Sequence, residues 1–232
     1  MTRAFRSRSK PVEYWTIDIA DEYCAIHTGD VGTHGEWQLQ EYLDADIAAE
    51  SFAELIAGRK QAGFAEDKGF DPNAQVYLDD PEFGLHELTS HPAFKAHFTD
   101  PLYLDVAEEE SPFGSDNGAD ALASLTEGFE GKSSPDLLGF AENLVTSNWE
   151  MQYHPPGEDT DIDYWAIGGP STSDQAIIAT AFGSIKITGR VPAALKELAV
   201  ASLERWRELG AFEEVPSPAL TRMIEDLRAF PV

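Results

Sequence analysis

Two hydrophobic rhythms divide this chain, and no single regular element can carry both. Over residues 12–20 (VEYWTIDIA), 22–28 (EYCAIHT) and 35–43 (GEWQLQEYL), apolar, β-branched and aromatic side chains come in strand-length runs. The last run alternates, with Trp37, Leu39 and Leu43 on one side, a period of two that predicts a half-buried strand. From residue 116 onward apolar residues recur at three and four positions, which gathers them into one stripe of a helix. Asp116 is expected to cap a helix carrying Leu122, Leu125 and Phe129, and Ser134 before Pro135 to start another through Leu138, Ala141 and Val145. Ser171 with Asp174 reads as a capping box ahead of Ile177, Ile178, Ala181, Phe182 and Ile185, with Gly189 as the stop. Pro192 opens the most regular helix, running from Leu195 to Leu209, and Ser217-Pro218 opens a last one with Leu220, Met223, Ile224 and Leu227.

Between the two rhythms, Asp46 can cap a helix on which Ala49, Phe52, Ala53 and Ile56 share a face and which ends at Gly63. Residues 11–64 therefore predict a β-β-β-α unit. The following EDKGFDPNAQVYLDDP is rich in turn residues. The expected organisation is a basic flexible arm over 1–10, a small sheet domain with one helix over 11–64, a linker over 65–80 and a mainly α-helical acidic domain over 81–232. The fold class is α+β. A chain of 232 residues can bury a core in each of two such domains.

Charge narrows the partners. The net charge of -26 sits on a chain with 42% hydrophobic and 11% aromatic residues, which marks a foldable protein and not a solvated tail. Residues 65–163 alone hold 23 Asp or Glu against 3 Lys. Such a field repels phosphates and anionic lipid heads and attracts basic proteins or cations. The start, MTRAFRSRSK, is basic, but no apolar run follows it and none elsewhere approaches membrane-spanning length. A soluble cytoplasmic protein without a membrane partner is expected. Cys24, the single cysteine, lies in an apolar run and reads as a buried reduced thiol.

Four stretches invite chemistry. In HTGDVGTHGEW, residues 27–37, Gly29, Gly32 and Gly35 stand three apart, but a phosphate loop needs a helix to follow and here a strand follows. Asp30 would also repel phosphate, so the glycines read as turn formers. In HELTSH, His86 and His91 are five apart, about 140° around a helix, so they cannot chelate one ion from one face. Asp159, Asp161 and Asp163 alternate like the start of a calcium loop, but Tyr164 and Pro170 stand where glycine and glutamate belong. In EEESPFGSDNGAD, Glu108, Glu109, Glu110, Asp116 and Asp120 could hold a metal or act as general acid and base. The same residues also suit a turn anchored by Pro112-Phe113, with Asp116 capping a helix and Asp120 favouring its N-terminal dipole. No nucleophile stands beside a recognisable base, and no catalytic residue, cofactor or metal is expected.

Residues 14–64 resemble the WGR domain. The matching positions are Trp15 in an aromatic-led first strand, Gly29, Gly32 and Gly35 in a glycine turn, and Arg59, Gly63 and Phe64 closing a helix. The resemblance implies a WGR-like fold and makes His27, Thr28, Gly29, Asp30, Gly32 and Gly35 the candidate binding loop. In WGR domains of poly(ADP-ribose) polymerases a Trp and an Arg contact DNA; Thr28 and Asp30 occupy those two positions here. The resemblance therefore implies the fold and weak duplex binding. SPFGSDNGADALASL at 111–125 and SDQAIIATAFGSIKITGRVPAALKELAVASLERW at 173–206 are similar to bacterial YfeS-type proteins, for which no activity carries over. The expected function is non-enzymatic: binding a protein partner that is basic or associated with nucleic acid. The rivals are a nucleic-acid-binding protein using Arg3, Arg6, Arg8 and Lys10, and a metal-dependent enzyme built on residues 108–120.

Overall fold

The computed structural model describes residues 2–130, 134–158, 161–210 and 217–232; of the calcium-like run, Asp159 lies outside them. The chain forms two compact units, Met1–Pro92 and Ala93–Val232. The expected α+β class is the one observed.

The first unit is built on an antiparallel sheet of β1 (Arg3–Arg6), β2 (Glu13–Ala20), β3 (Tyr23–Asp30), β4 (Glu36–Glu41) and β5 (Ala65–Glu66), in the order β4-β3-β2-β1-β5. β2, β3 and β4 are the three strands expected. The basic start is not a free arm: Ala4 and Phe5 are buried, and Phe5 pairs with Trp15 in the β1-β2 register. Two apolar residues between arginines were enough to make a strand.

Because opposed residues of antiparallel strands share a face, Phe5, Trp15, Ile17 and Ile26 line one side of the sheet. Helix α1 (Ala45–Gln61) covers it with Ile56, Phe52 and Leu55, joined by Phe64. Asp44, two residues earlier than Asp46, is the cap; its carboxylate accepts from the Ile47 amide at 2.9 Å. Ala48 and Ile56 are the buried helix residues, while Ala49 and Ala53 face solvent. Alanine carries too little apolar surface to mark a face.

The other side of the sheet carries Ala25, Leu39, Tyr23 and Trp37. It is covered by the segment expected to be a linker. After β5 the chain makes a 3-10 turn at Pro72–Ala74, buries Tyr77 and Leu78, and lays the Tyr77 ring 4.9 Å from Trp37. Asp80 is buried here, and its carboxylate accepts from the Leu39 amide of β4 at 2.7 Å. Leu43 lies past the end of β4, 87% exposed.

The second unit contains α2 (Pro92–His97), α3 (Asp116–Glu130), α4 (Phe140–Asn143) running into a π-helical turn at Leu144–Asn148, α5 (Pro170–Thr188), α6 (Ala193–Leu209) and α7 (Pro218–Ala229). Helix α5 is its axis. Every residue from 170 to 187 is buried, and α3, α4 and α6 pack around it. The expected stripes of α6 and α7 are buried too, apart from Leu209 and the partly exposed Leu198.

Three expected starts differ. Ser115, and not Asp116, holds the first turn of α3, its hydroxyl accepting from the Gly118 amide at 3.1 Å. Leu138 is exposed, and α4 begins only at Phe140. Gly169 caps α5 without a side-chain bond, while Ser171 and Asp174 are buried. A capping box serves a solvated helix start, and this start is inserted into the core.

Glu150 closes the π turn with φ 55, a left-handed conformation, and the Met151 amide bonds back to the Val145 carbonyl at 2.9 Å. Glycine is the usual residue at such a helix end because a Cβ costs energy there. Glu150→Gly is expected to stabilise the unit by about 0.5–1 kcal/mol. Thermal denaturation should show a rise of roughly 2–4 °C; an unchanged or lower midpoint would contradict this account of the turn.

Candidate functional site

The β3-β4 connection is shaped by its glycines. Gly32 and Gly35 have φ of 98 and 65, which side chains resist. Close approach constrains Gly29 and Gly35 further. A Cβ on Gly29 would lie 2.7 Å from the Gly35 Cα, and one on Gly35 would lie 1.9 Å from the Tyr14 hydroxyl. The glycines thus let Tyr14 tuck under the loop, where its hydroxyl sits 2.9 Å from Nε2 of His27.

His27 is 2% exposed and stacks on Trp37, with ring centroids 4.2 Å apart and planes within 6°. Its Nε2 is also 2.6 Å from the His34 carbonyl. A carbonyl only accepts, so Nε2 carries the proton of the neutral ring. Burial pushes His27 down to about 4 and Tyr14 up to about 12. Both stay neutral at pH 7.

Above this pair opens a cleft of about 310 Å³. Tyr14, Thr16 and His27 are its polar side, and Ala4, Val31, Phe70 and Val76 its apolar side. Thr33 and His34 of the loop line it as well. Arg6 and Asp67 contribute a charged edge, paired at 2.5 Å from Nε to the carboxylate.

Of the six loop residues singled out by sequence, His27 and Gly32 line this cleft and Gly29 and Gly35 shape it. Thr28 lies on the opposite sheet face, opposite Trp15, its hydroxyl bonded to the Tyr14 carbonyl at 3.3 Å. Asp30 is exposed at the strand end. Sequence reasoning missed Tyr14, Thr16 and Asp67, and had Arg6 only as part of a basic arm. The strand register would have found Tyr14 and Thr16, which pair with Gly29 and His27. The positions matched to the WGR pattern also meet: the Arg59 guanidinium lies 5.3 Å from the ring centres of both Trp15 and Phe64.

The acidic stretch 108–120 builds a turn. The Ser111 amide donates to the Glu108 carbonyl at 2.8 Å, the Ser111 hydroxyl to the Asp105 carbonyl at 2.5 Å, and Ser217 donates to the Glu110 carboxylate. Glu108, Glu109, Asp116 and Asp120 are exposed. Asp116 and Asp120 begin a stripe along α3 that Glu127 and Glu130 continue. His86 and His91 have separate roles: His86 accepts from the Leu88 amide at 3.0 Å, and His91 lies edge-on to Tyr77. Among the described residues no group of three or more His, Cys, Asp or Glu is arranged to hold a metal ion. None of their helices is long and apolar enough to cross a membrane.

Asp174, read from sequence as part of a cap, is the centre of a buried network. Arg205 grips it bidentately, Nε and Nη2 each 2.8 Å from a carboxylate oxygen. Tyr164 donates to the same carboxylate at 3.1 Å, and the guanidinium reaches the carbonyls of His154 and Pro155 at 2.6 and 3.0 Å. Burial raises the Asp174 carboxyl above its ordinary value, while Arg205 pulls it down. The pair fastens the loop before α5 to α5 and α6. It presents no charge for chemistry.

No family model matches the chain. A crystal structure of a Bacteroides fragilis protein is 18% identical, covers 56% of this chain and 40% of that one, and superposes with a TM-score of 0.29, too slight a likeness to carry an argument. The uncharacterised protein YfeS of Escherichia coli K12 is 36% identical over 231 residues, spanning 96% of this chain and 95% of that protein. Identity at that level along nearly the whole of both chains means that this chain belongs to the YfeS family.

Proposed function

We propose that this protein works by binding and not by catalysis, and that its second unit docks a basic segment of another protein. The carrying observation is the exposed stripe of Asp116, Asp120, Glu127 and Glu130 on α3, which the exposed Glu108 and Glu109 precede in the chain. Residues 93–232 hold nine Lys or Arg against 24 Asp or Glu, and several of those cations are already engaged. Arg205 pairs with Asp174, Arg222 with Asp100 and Arg228 with Glu204, while Lys196 donates to the carbonyls of Arg228 and Phe230. The stripe is left for a partner whose Lys or Arg recur every three to four residues. A cytoplasmic setting fits this reading, with the lone thiol of Cys24 buried.

A lysine-rich helical peptide with that spacing, and its glutamate counterpart, test the idea by fluorescence anisotropy. The basic peptide should bind with a salt-weakened affinity, and a variant with Asp116→Asn, Asp120→Asn, Glu127→Gln and Glu130→Gln should lose at least about tenfold. Equal binding by the variant, or by the acidic peptide, would sink the proposal.

Within this reading the first unit is a WGR-like module that has lost its DNA contact. The Trp15, Arg59 and Phe64 stack and the glycine turn support the likeness. Thr28 offers no stacking ring, Asp30 repels phosphate, and Arg3 and Arg6 are paired with Glu66 and Asp67. Duplex binding is expected no tighter than roughly 10⁻⁴ M near physiological salt, rising when Thr28→Trp and Asp30→Arg are combined. Submicromolar affinity of the unaltered protein in a gel-shift titration would favour nucleic-acid binding instead.

A further inference from the structure

We propose that the pocket between α3 and the π-helical turn receives the ammonium of one lysine of the docked segment, an assignment that rests on the basic-partner reading and gives it an anchor. The pocket has a volume of about 290 Å³, at the bottom of the range of small-molecule sites, which begin near about 300 Å³. One extended side chain fits that space. Ser124, Glu127 and Gly128 of α3 line it, together with Phe140, Asn143, Leu144 and Asn148 of α4 and the π turn. Gly128 contributes backbone alone, and the Phe140 ring comes within 3.8 Å of where its Cβ would be. The Trp149 amide closes the π turn on the Leu144 carbonyl at 3.0 Å; such turns interrupt the α-helical ladder and recur at functional sites.

The sign of the charge is set by the walls. Helix α3 carries four carboxylates and no base, and residues 140–148 carry Glu142 and no base. The one base between residues 116 and 150, Lys132, lies outside the described residues. Glu127 belongs both to the exposed stripe and to the pocket. Among the described residues the side chains of Ser124, Glu127, Asn143 and Asn148 make no hydrogen bond or ion pair with one another or with a neighbour. A carboxylate, a hydroxyl and two carboxamide oxygens are therefore free to accept.

These acceptors come from two elements, not side by side on one. An ammonium sends three donors in different directions and suits that arrangement, whereas a guanidinium holds its donors in one plane. Phe140 and Leu144 offer apolar surface to the alkyl stem of a lysine. A side chain that fills the pocket also displaces water from around Glu127, which strengthens this pair relative to those along the open stripe.

Single substitutions, read by fluorescence anisotropy with the lysine-rich helical peptide, test the assignment. Glu127→Gln should weaken binding at least about fivefold, while Asp116→Asn, Asp120→Asn and Glu130→Gln each cost less than about twofold, since one desolvated anchor outweighs exposed pairs. Asn143→Leu with Asn148→Leu leaves the charge unchanged and should also cost at least about fivefold. The same peptide with arginine at every lysine keeps its charge and should bind at least about threefold more weakly. Equal losses among the four carboxylates, full binding by the asparagine double variant, or equal binding of the arginine peptide would overturn the anchor and leave the docking stripe standing. No binding of the lysine peptide would overturn both. Should the double variant fold poorly, amide NMR shifts of the unaltered protein decide: the lysine peptide should move Gly128, Leu144 and Asn148, and shifts confined to residues 116–120 would defeat the assignment.

Discussion

Arg205→Met is expected to destabilise the second unit by about 3–5 kcal/mol, the usual result of leaving a buried charge without its partner. For a unit of this size that corresponds to a fall of roughly 10–15 °C in melting temperature. The loss comes from Asp174, which is fully buried and would keep the Tyr164 hydroxyl as its side-chain donor. The pH dependence gives a second check. Burial already raises the Asp174 carboxyl above 3.8, and removing the guanidinium raises it further. A carboxyl raised in the folded state is best tolerated below its unfolded value and costs stability as pH rises through the folded one. The deficit of Arg205→Met relative to the unaltered protein should therefore be largest near pH 7 and shrink as pH falls toward 4. Adding Asp174→Leu should recover much of the loss, since replacing a buried pair by apolar residues is often neutral. A uniform deficit from pH 7 to 4, or no rescue by the second change, would mean that Arg205 acts mainly through the carbonyls of His154 and Pro155.

Gly35→Ala should damage the first unit nearly as much. The new methyl would sit 1.9 Å from the Tyr14 hydroxyl and 2.5 Å from the Thr28 carbonyl, at a φ of 65. Left-handed strain and overpacking each cost about 1–3 kcal/mol, so a combined loss of roughly 2–6 kcal/mol is expected. Gly32→Ala carries left-handed strain too, at a φ of 98, but no clash, because nothing lies within 4 Å of where its methyl would sit, and should cost less. Denaturant titration compares the two, followed by amide NMR signals of β2 and β3, since tryptophan fluorescence would mix Trp15 and Trp37 with Trp149, Trp165 and Trp206 of the second unit. Equal losses would show that the close approach to Tyr14 contributes little.

Much of this architecture was legible in the sequence because periodic burial leaves a periodic trace. β2, β3 and β4, and the stripes of α6 and α7, stand close to where their patterns put them. What the pattern could not convey was cover without period. Residues 67–91 bury Tyr77, Leu78 and Leu88 through 3-10 turns and irregular chain, so 65–80 read as a linker and 81–92 as the start of the helical domain, although they belong to the first unit. Helix α5 misled in the opposite sense: Ser171 and Asp174 read as a solvated capping box, yet both are buried, as are Thr180 and Ser184 further along. Composition alone does not tell a polar side chain facing water from one facing an arginine twenty or thirty residues away. At the cleft, glycine spacing pointed to the loop. Arg6 and Asp67 joined it only through the pairing of β1 with β2 and β5.

The buried carboxylate of Asp80 has a consequence for self-association. β4 is an outer strand, and the amide of Leu39, which another strand would need to engage, already donates to Asp80. At the opposite margin β5 is two residues long, and its Glu66 is held by Arg3. An exposed margin of backbone donors and acceptors is the usual template for one sheet to extend into the next. Here an incoming strand would have to displace a desolvated carboxylate on one side and break an ion pair on the other, so copies of this protein that meet at high concentration have no ready route to polymerise through their sheets.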